Sequence, residues 1–304
     1  MKDRDLKTIT ESLDGPVLVG EPLSGHTTYR VGGKAECLVC PESSDGAAWV
    51  FKYAHREEIP VTVIGAGSNV IAPDEGIRGI VLKTQNQSAE IMLPGGNIIV
   101  ADAGVTLIDL ARLAAREGLR GLEPIAGIPG TVGGAVFMNA GTKEGDTASL
   151  LREVQVLTNT GEFRKFNPGE LSFGYRKSAF QMTDWLILRA VFELEKGDPE
   201  DISSCLERVF AERQEKYPLD EANAGSVFKR PAGDYAGRLI EEAGCKGLTV
   251  GGASVSTRHA NFIINSGSAT AADIVELISV IRKRVYDFSG IYLELENEIL
   301  NSTA

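Results

Sequence analysis

The residues best equipped for chemistry sit in four polar segments flanked by glycine, proline or aromatic residues. They are Phe173-Gly-Tyr175-Arg176-Lys177-Ser178, Arg213-Gln-Glu-Lys216-Tyr-Pro218, Gly225-Ser226-Val-Phe-Lys229-Arg230-Pro231 and Leu293-Glu-Leu-Glu296. Guanidinium and ammonium groups can hold a carboxylate or diphosphate, and a hydroxyl or carboxyl group can move a proton. Taken singly, each segment also has a plainer reading. Arg176 and Lys177 suit a solvated turn, and Ser226 suits a turn or helix cap. Glu294, Glu296 and Glu298 would share one face of a strand, often simply a wet face. Arg213 and Lys216 stand one helical turn apart at a helix C-terminus, where cations suit the macrodipole regardless of function.

Two glycine-rich segments could bring backbone against a ligand. In Pro60-Val-Thr-Val-Ile64-Gly65-Ala66-Gly67-Ser68-Asn69 an apolar strand runs into Gly-x-Gly, a turn whose amides can face phosphate. A dinucleotide fingerprint needs a small third residue and a helix after it. Position 70 is Val, and Ala72-Pro-Asp-Glu-Gly76 cannot be helical, so a Rossmann loop is excluded. The second segment, residues 123–141, contains Gly127-Ile128-Pro129-Gly130-Thr131-Val-Gly133-Gly134 and then Asn139-Ala-Gly141. Glycines mixed with apolar residues at this density are not linker composition; they suit a wall along a bulky, flat, partly anionic ligand. No Gly-Lys-Ser/Thr ending and no following helix are expected, which excludes a Walker loop. Both segments also admit a purely structural reading.

The elements that must position these residues follow from periodicity. Residues 37–40 and 61–64 read as buried strands with a helix over 44–57 between them. A strand at 98–101 leads to a helix announced by Thr106-x-x-Asp109 and closed by Gly118. Residues 154–158 and 163–166 make a hairpin about Asn159-Thr-Gly161, and 185–194 a further strand. Asp198-Pro199 opens a helix bearing Ile202, Leu206, Val209 and Phe210 on one face. Thr270-x-x-Asp273 opens another, which Gly290 stops, and residues 291–300 alternate as a last strand. The sum is an α+β protein of three lobes: 1–90, 91–197 and 198–304.

Composition narrows the classes. With 31 basic against 42 acidic residues the net charge is −11, so nucleic acid and anionic membrane surfaces are poor partners. The first twelve residues lack the apolar core of a signal peptide, and no apolar run reaches membrane-span length. Cys37-Leu-Val-Cys40 lies in an apolar run ending at Pro41, not at a helix start, so it reads as strand thiols rather than a redox or metal pair. A cytoplasmic protein with reduced thiols and no metal is expected.

In order along the chain, seven segments resemble one family. They are Tyr29-Arg-Val-Gly-Gly33, Gly65-Ala-Gly-Ser-Asn69, Gly127-Ile-Pro-Gly-Thr-Val-Gly-Gly134, Phe173-Gly-Tyr-Arg176, Gly225-Ser-Val-Phe-Lys229, His259-Ala-Asn-Phe-Ile-Ile-Asn265 and Leu293-Glu-Leu-Glu296. Together they resemble UDP-N-acetylenolpyruvoylglucosamine reductases over residues 20–298. The short segment between Lys229 and Gly251 resembles the shorter, type II form. Arg230 departs from the longer form, which carries Asn there, and an arginine at that position could meet a diphosphate.

The resemblance implies a two-lobed, PCMH-type FAD-binding domain of the vanillyl-alcohol-oxidase-like class, plus a C-terminal α/β substrate-binding domain. It implies non-covalent FAD held by Ile64, Gly65, Ala66, Gly67, Ser68 and Asn69. Gly127, Ile128, Pro129, Gly130, Thr131, Gly133, Gly134, Asn139 and Gly141 belong to the same cofactor set. NADPH is the hydride donor, and UDP-N-acetylglucosamine enolpyruvate the substrate of a monomeric enzyme of peptidoglycan precursor synthesis. Arg176 matches the family's cation, Ser226 its proton donor and Glu296 the carboxylate that assists at the intermediate; Tyr175, Arg213, Lys216 and Arg230 match substrate contacts. Two other readings stay open: another flavin oxidoreductase of the superfamily, which often tethers FAD through His or Cys, and a non-catalytic nucleotide-binding module. Neither His26 nor His259 is an obvious tether, and a binding module would not need Arg176, Ser226 and Glu296 together.

Overall fold

Short, nearly continuous buried runs along Lys34–Val39 and Ile77–Lys83 suit strands covered on both faces. They form the centre of a four-stranded sheet ordered Val17–Pro22, Lys34–Val39, Ile77–Lys83, Val61–Ile64. The last pair is parallel, with Val61 opposite Ile80 and Ile64 opposite Lys83. The expected helix forms as Ser44–Arg56; Ser43 caps it by accepting a hydrogen bond from the Gly46 amide at 3.0 Å. Its buried face (Ala47, Val50, Phe51, Ala54) packs with Ile9, Val39, Ile80 and Leu82 in one core. Cys37 belongs to that core, and burial pushes its thiol up to about 11, so it behaves as a small apolar side chain.

The computed structural model describes residues 1–84 and 91–302 and divides into two compact units. The first comprises Met1–Gly20, Glu36–Ala66 and Arg78–Ala211; the second comprises Glu21–Ala35, Gly67–Ile77 and Glu212–Ala304. The expected boundary at residue 90 falls on residues 85–90, outside the described ones.

A second sheet of the first unit is wholly antiparallel, ordered Phe163–Phe166, Leu151–Leu157, Leu186–Glu193, Ile98–Asp102, Ile91–Gly95. The expected hairpin is there, with Phe163 opposite Leu157. The helix Leu107–Arg116 starts at Thr106, whose hydroxyl accepts from the Asp109 amide at 3.2 Å. It packs with Ile99, Val154, Ala190 and Phe192 in a second core, to which the helix Pro199–Lys216 adds Ile202 and Leu206.

One expectation fails inside the second glycine segment. Residues 132–138 form a helix, Val132–Met138, with the Thr131 hydroxyl accepting from the Gly134 amide at 3.3 Å and Asn139 closing it at φ 42°. Low glycine propensity argues against a helix there. Burial of Val132, Ala135 and Val136 overrides it.

The second unit has its own core, including Tyr29, Ile71, Phe228, Ile240, Ile263, Ile274 and Leu277. A three-stranded antiparallel sheet (Thr249–Val250, Ala253–Val255, Ile263–Asn265) lies beside the helices Ala236–Glu242 and Ala271–Ser289. The long helix carries the expected reciprocal cap of Thr270 and Asp273, and Gly290 ends it at φ 70°. The non-helical 72–76 turn adds a second cap: the Asp74 carboxylate accepts from the Ala271 and Ala272 amides at 2.8 and 2.9 Å.

The last expected strand, 291–300, is corrected. Only Glu298–Ile299 is a strand, parallel to Val70–Ile71, while Leu295 forms an isolated bridge with Phe228. The segment changes partner at Asn297, so one alternating run serves two neighbours.

Candidate active site

Gly65, Ala66 and Gly67 leave the strand Val61–Ile64 in a turn, Gly67 taking φ 68°, a left-handed conformation that favours glycine. Among the described residues their three amides donate to no protein acceptor, whereas the Gly67 carbonyl accepts from the Thr28 amide at 3.0 Å. Unspent consecutive amides are what a diphosphate requires. The Asn69 side chain, by contrast, is occupied: its Nδ2 donates to the Glu296 carbonyl at 3.0 Å.

The 127–141 segment uses its amides differently. Val132 N donates to the Val105 carbonyl at 2.8 Å and Gly133 N to the Ala103 carbonyl at 2.9 Å. A Cβ on Gly133 would sit 2.9 Å from that of Ala103, so this glycine serves close packing. Gly134 differs: a Cβ there would meet only the Thr131 hydroxyl, at 3.6 Å. The helix start therefore presents a flat glycine surface rather than an anion cradle. A nearby cavity of about 10 Å³ in the same unit, room for a single water, is lined by Pro41, Ser43, Thr84, Asp102, Ala103 and Gly104.

Beyond the helix, Asn139 spends its whole amide on the fold. Its Nδ2 donates to Asp146 at 3.1 Å and to the Gly174 carbonyl at 2.9 Å, and its Oδ1 accepts from the Ala148 amide at 2.9 Å. That anchors the turn 174–177, closed by reciprocal amide bonds between Gly174 and Lys177 of 3.0 and 3.1 Å. Arg176 occupies the turn with φ 53°, a strained position for a non-glycine residue. Its guanidinium donates to the Gly141 carbonyl at 2.6 Å and lies 5.1 Å from the exposed Tyr175 ring. Asn139 and Gly141, expected at the cofactor, thus hold Arg176 in place.

In the second unit the backbone segments that carry Ser226 and Glu296 run side by side. Glu296 N donates to the Val227 carbonyl at 2.8 Å, and Lys229 N to the Glu294 carbonyl at 2.9 Å, placing residues 226–229 antiparallel to 293–297. Ser226 is half-buried, and its hydroxyl has no hydrogen-bond partner among the described residues. It follows Gly225 at φ 73° and caps no helix. Sequence reasoning missed Asn297, which is 4% exposed. Its signal was an amide at an inward position of the run Leu293, Leu295, Asn297.

Arg213 and Lys216 lie in the last turn of Pro199–Lys216, as expected, both over the Tyr217 ring at 4.9 and 5.4 Å. The Arg213 Nε is buried without a protein partner, and burial holds the guanidinium below its ordinary value. Arg230 is exposed and stacks 4.9 Å from the Tyr235 ring. His26 lies 3.0 Å from Glu21, and His259 packs among Tyr217 and Phe262.

Comparison with known proteins finds two family matches. Residues 35–167 match the family described as FAD binding domain, and residues 217–300 match UDP-N-acetylenolpyruvoylglucosamine reductase, C-terminal domain. The chain is 40% identical over 284 residues to the UDP-N-acetylenolpyruvoylglucosamine reductase of Syntrophomonas wolfei, covering 93% of this chain and 95% of that protein. It is 43% identical to the reductase of Geobacillus thermodenitrificans, covering 93% of each. The crystal structure of the Thermus caldophilus reductase superposes with a TM-score of 0.79 at 37% identity, over 95% of this chain and 100% of that one. Alkyldihydroxyacetonephosphate synthase shares the fold alone, with a TM-score of 0.52 at 15% identity over 64% of this chain and 42% of that one. The fold is thus α+β, a PCMH-type FAD-binding domain joined to a C-terminal substrate domain, as the sequence led us to expect. The chain belongs to the UDP-N-acetylenolpyruvoylglucosamine reductase family.

Proposed function

We propose that Arg176, Ser226 and Glu296 divide the catalytic work of this family member. The chain is an NADPH-dependent, FAD-containing reductase that converts UDP-N-acetylglucosamine enolpyruvate to UDP-N-acetylmuramate for peptidoglycan. Bound FAD supplies a hydride, taken from NADPH, to the vinyl carbon of the substrate.

The unspent amides of residues 65–67 support a diphosphate cradle, with Ser68 and Asn69 completing the loop. The open face of Gly134 supports a wall formed by Ile128, Pro129, Gly130 and Thr131 for the flat ring system. Hydride addition leaves a negative charge shared by the adjacent carbon and its carboxylate. Arg176 stabilises that charge, pre-oriented by its turn and the Gly141 carbonyl. Ser226 protonates the adjacent carbon, and Glu296 assists. A hydroxyl is a weak acid, adequate here because a carbanion-like carbon is a strong base. Arg213, with an unsatisfied buried donor, Lys216, Arg230 and Tyr175 bind the nucleotide sugar. Three lobes, 1–90, 91–197 and 198–304, carry these roles.

No helix among the described residues is long and apolar enough to cross a membrane. Four cysteines in a chain of this length are too few for a disulfide framework, which favours a reducing cytoplasm, and a net charge of −11 favours a monomer.

The observation that supports the assignment of roles is the half-buried, unspent Ser226 hydroxyl on a segment whose backbone runs antiparallel to that of Glu296. Ser226→Ala is expected to slow product formation from pre-reduced enzyme by about 10²–10⁴-fold, with flavin reduction by NADPH unchanged. Ser226→Cys is expected to recover part of the rate. Product formation at the wild-type rate in Ser226→Ala would remove the serine from the mechanism.

A further inference from the structure

The backbones of Ser226 and Glu296 meet at one buried side chain. Asn297 Nδ2 donates to the Ala224 carbonyl at 2.9 Å, to the Ser226 carbonyl at 3.4 Å and to Asn69 Oδ1 at 3.0 Å. Asn69 returns the contact by donating Nδ2 to the Glu296 carbonyl at 3.0 Å. Asn297 Oδ1 accepts from the Tyr29 hydroxyl at 3.2 Å. Tyr29 is fully buried, and Asn265 fixes its backbone by donating to the Tyr29 carbonyl at 2.8 Å. Burial pushes the Tyr29 phenol well up, so it remains a donor and fixes which way the Asn297 amide points. A buried amide with all its hydrogen-bonding capacity used has one orientation available to it. It cannot move without leaving several buried partners unsatisfied.

We propose that Asn297 is a positioning residue for the protonation step, holding Ser226 and Glu296 in register with each other and with Asn69. It touches neither through their reactive atoms, and it acts by fixing their main chain. The proposal rests on the roles given above to Ser226 and Glu296. Its physical content is a placement tolerance: displacement of a reacting group by about 1 Å costs on the order of 10²-fold in rate.

The test compares the two half-reactions in flavin-loaded protein. Asn297→Ala is expected to slow formation of product from pre-reduced enzyme by about 100-fold, with reduction by NADPH within about twofold of wild type. Tyr29→Phe, which keeps the donors of Asn297 and frees only its Oδ1, is expected to slow the same step by about tenfold. It also serves as the readout if Asn297→Ala does not fold. Introduced into Ser226→Ala, either substitution is expected to cost less than it does in the wild type, because one of the two groups it positions is already gone. Equal loss in both half-reactions, no loss in either, or a fully multiplicative double variant would overturn the proposal. A normal product-forming rate in Ser226→Ala alone would instead overturn the serine's assigned role. A slow Ser226→Ala beside normal Asn297→Ala and Tyr29→Phe would overturn only the positioning role.

Discussion

The segments 65–69 and 127–141 are both rich in glycine, yet they use their backbone in opposite ways. In the first, the amides of Gly65, Ala66 and Gly67 are unspent and the carbonyl of Gly67 is tied down. In the second, the amides of Val132 and Gly133 are spent on Val105 and Ala103, and a helix begins there. One can cradle an anion; the other can only offer a smooth wall and a packing surface. Glycine content alone does not separate these uses. The destination of each amide does.

The largest expected effects follow from what a side chain would strike. A Cβ on Gly67 would run into the His26 carbonyl, and one on Gly133 would press on Ala103. Gly67→Val and Gly133→Val are therefore expected to abolish soluble folded protein, not merely flavin binding. Gly134→Leu meets no such obstacle. It is expected to fold with a normal melting temperature yet purify with little flavin absorbance. Full flavin content in folded Gly134→Leu would reduce the second segment to packing alone.

The far end of the wall gives the next effect. Asn139 and Gly141 hold Arg176 in its turn, so Arg176→Ala is expected to cost about 10²–10³-fold in product formation while NADPH still reduces the flavin. Arg176→Gly should lose as much activity but be more stable than Arg176→Ala by about 1 kcal/mol in urea titrations. Glycine adopts φ 53° without penalty. Equal stability of the two variants would show that the turn is unstrained.

Much of this was legible in the sequence because the signals are local. Thr106, Asp198-Pro199, Thr270 and Gly290 mark helix ends through bonds made within one turn, and the 163–166 hairpin follows from its turn residues. The helix Val132–Met138 was hidden because its stability comes from burial against residues distant in sequence, against glycine's own preference. The strand at 291–300 was overextended because alternation reports which face is buried, not which neighbour is paired. Among site residues, Ser226 and Glu296 stood out by type and setting. Asn297 and Tyr29 did not, because their meaning lies in partners on segments far apart in the chain.

The smallest effect belongs to a region that neither glycine segment reaches and therefore marks the floor of the comparison. His259 packs against Tyr217 and Phe262, with ring centroids 5.2 and 5.1 Å away. Burial, and then the charge of Lys216, holds its imidazole below the ordinary value of 6.5; Lys246 acts in the same direction and Glu241 against it. Well above pH 6.5 the ring is neutral whether the chain is folded or unfolded, so titration adds nothing there. As pH falls below that value the unfolded chain takes up the proton first. Stability is then lost progressively, until the folded imidazole is also protonated. One group binds at most one proton, so its share of the slope cannot exceed about 1.4 kcal/mol per pH unit. His259→Gln, which keeps an acceptor for the Asn261 amide now bonded to Nδ1 at 3.3 Å, should remove that share of the slope. Its unfolding free energy near pH 8 should stay close to wild type. Urea titrations of both proteins between pH 5 and 8 (a window set by the histidine range) measure the difference. Parallel curves would mean that His259 is protonated as readily in the fold as outside it.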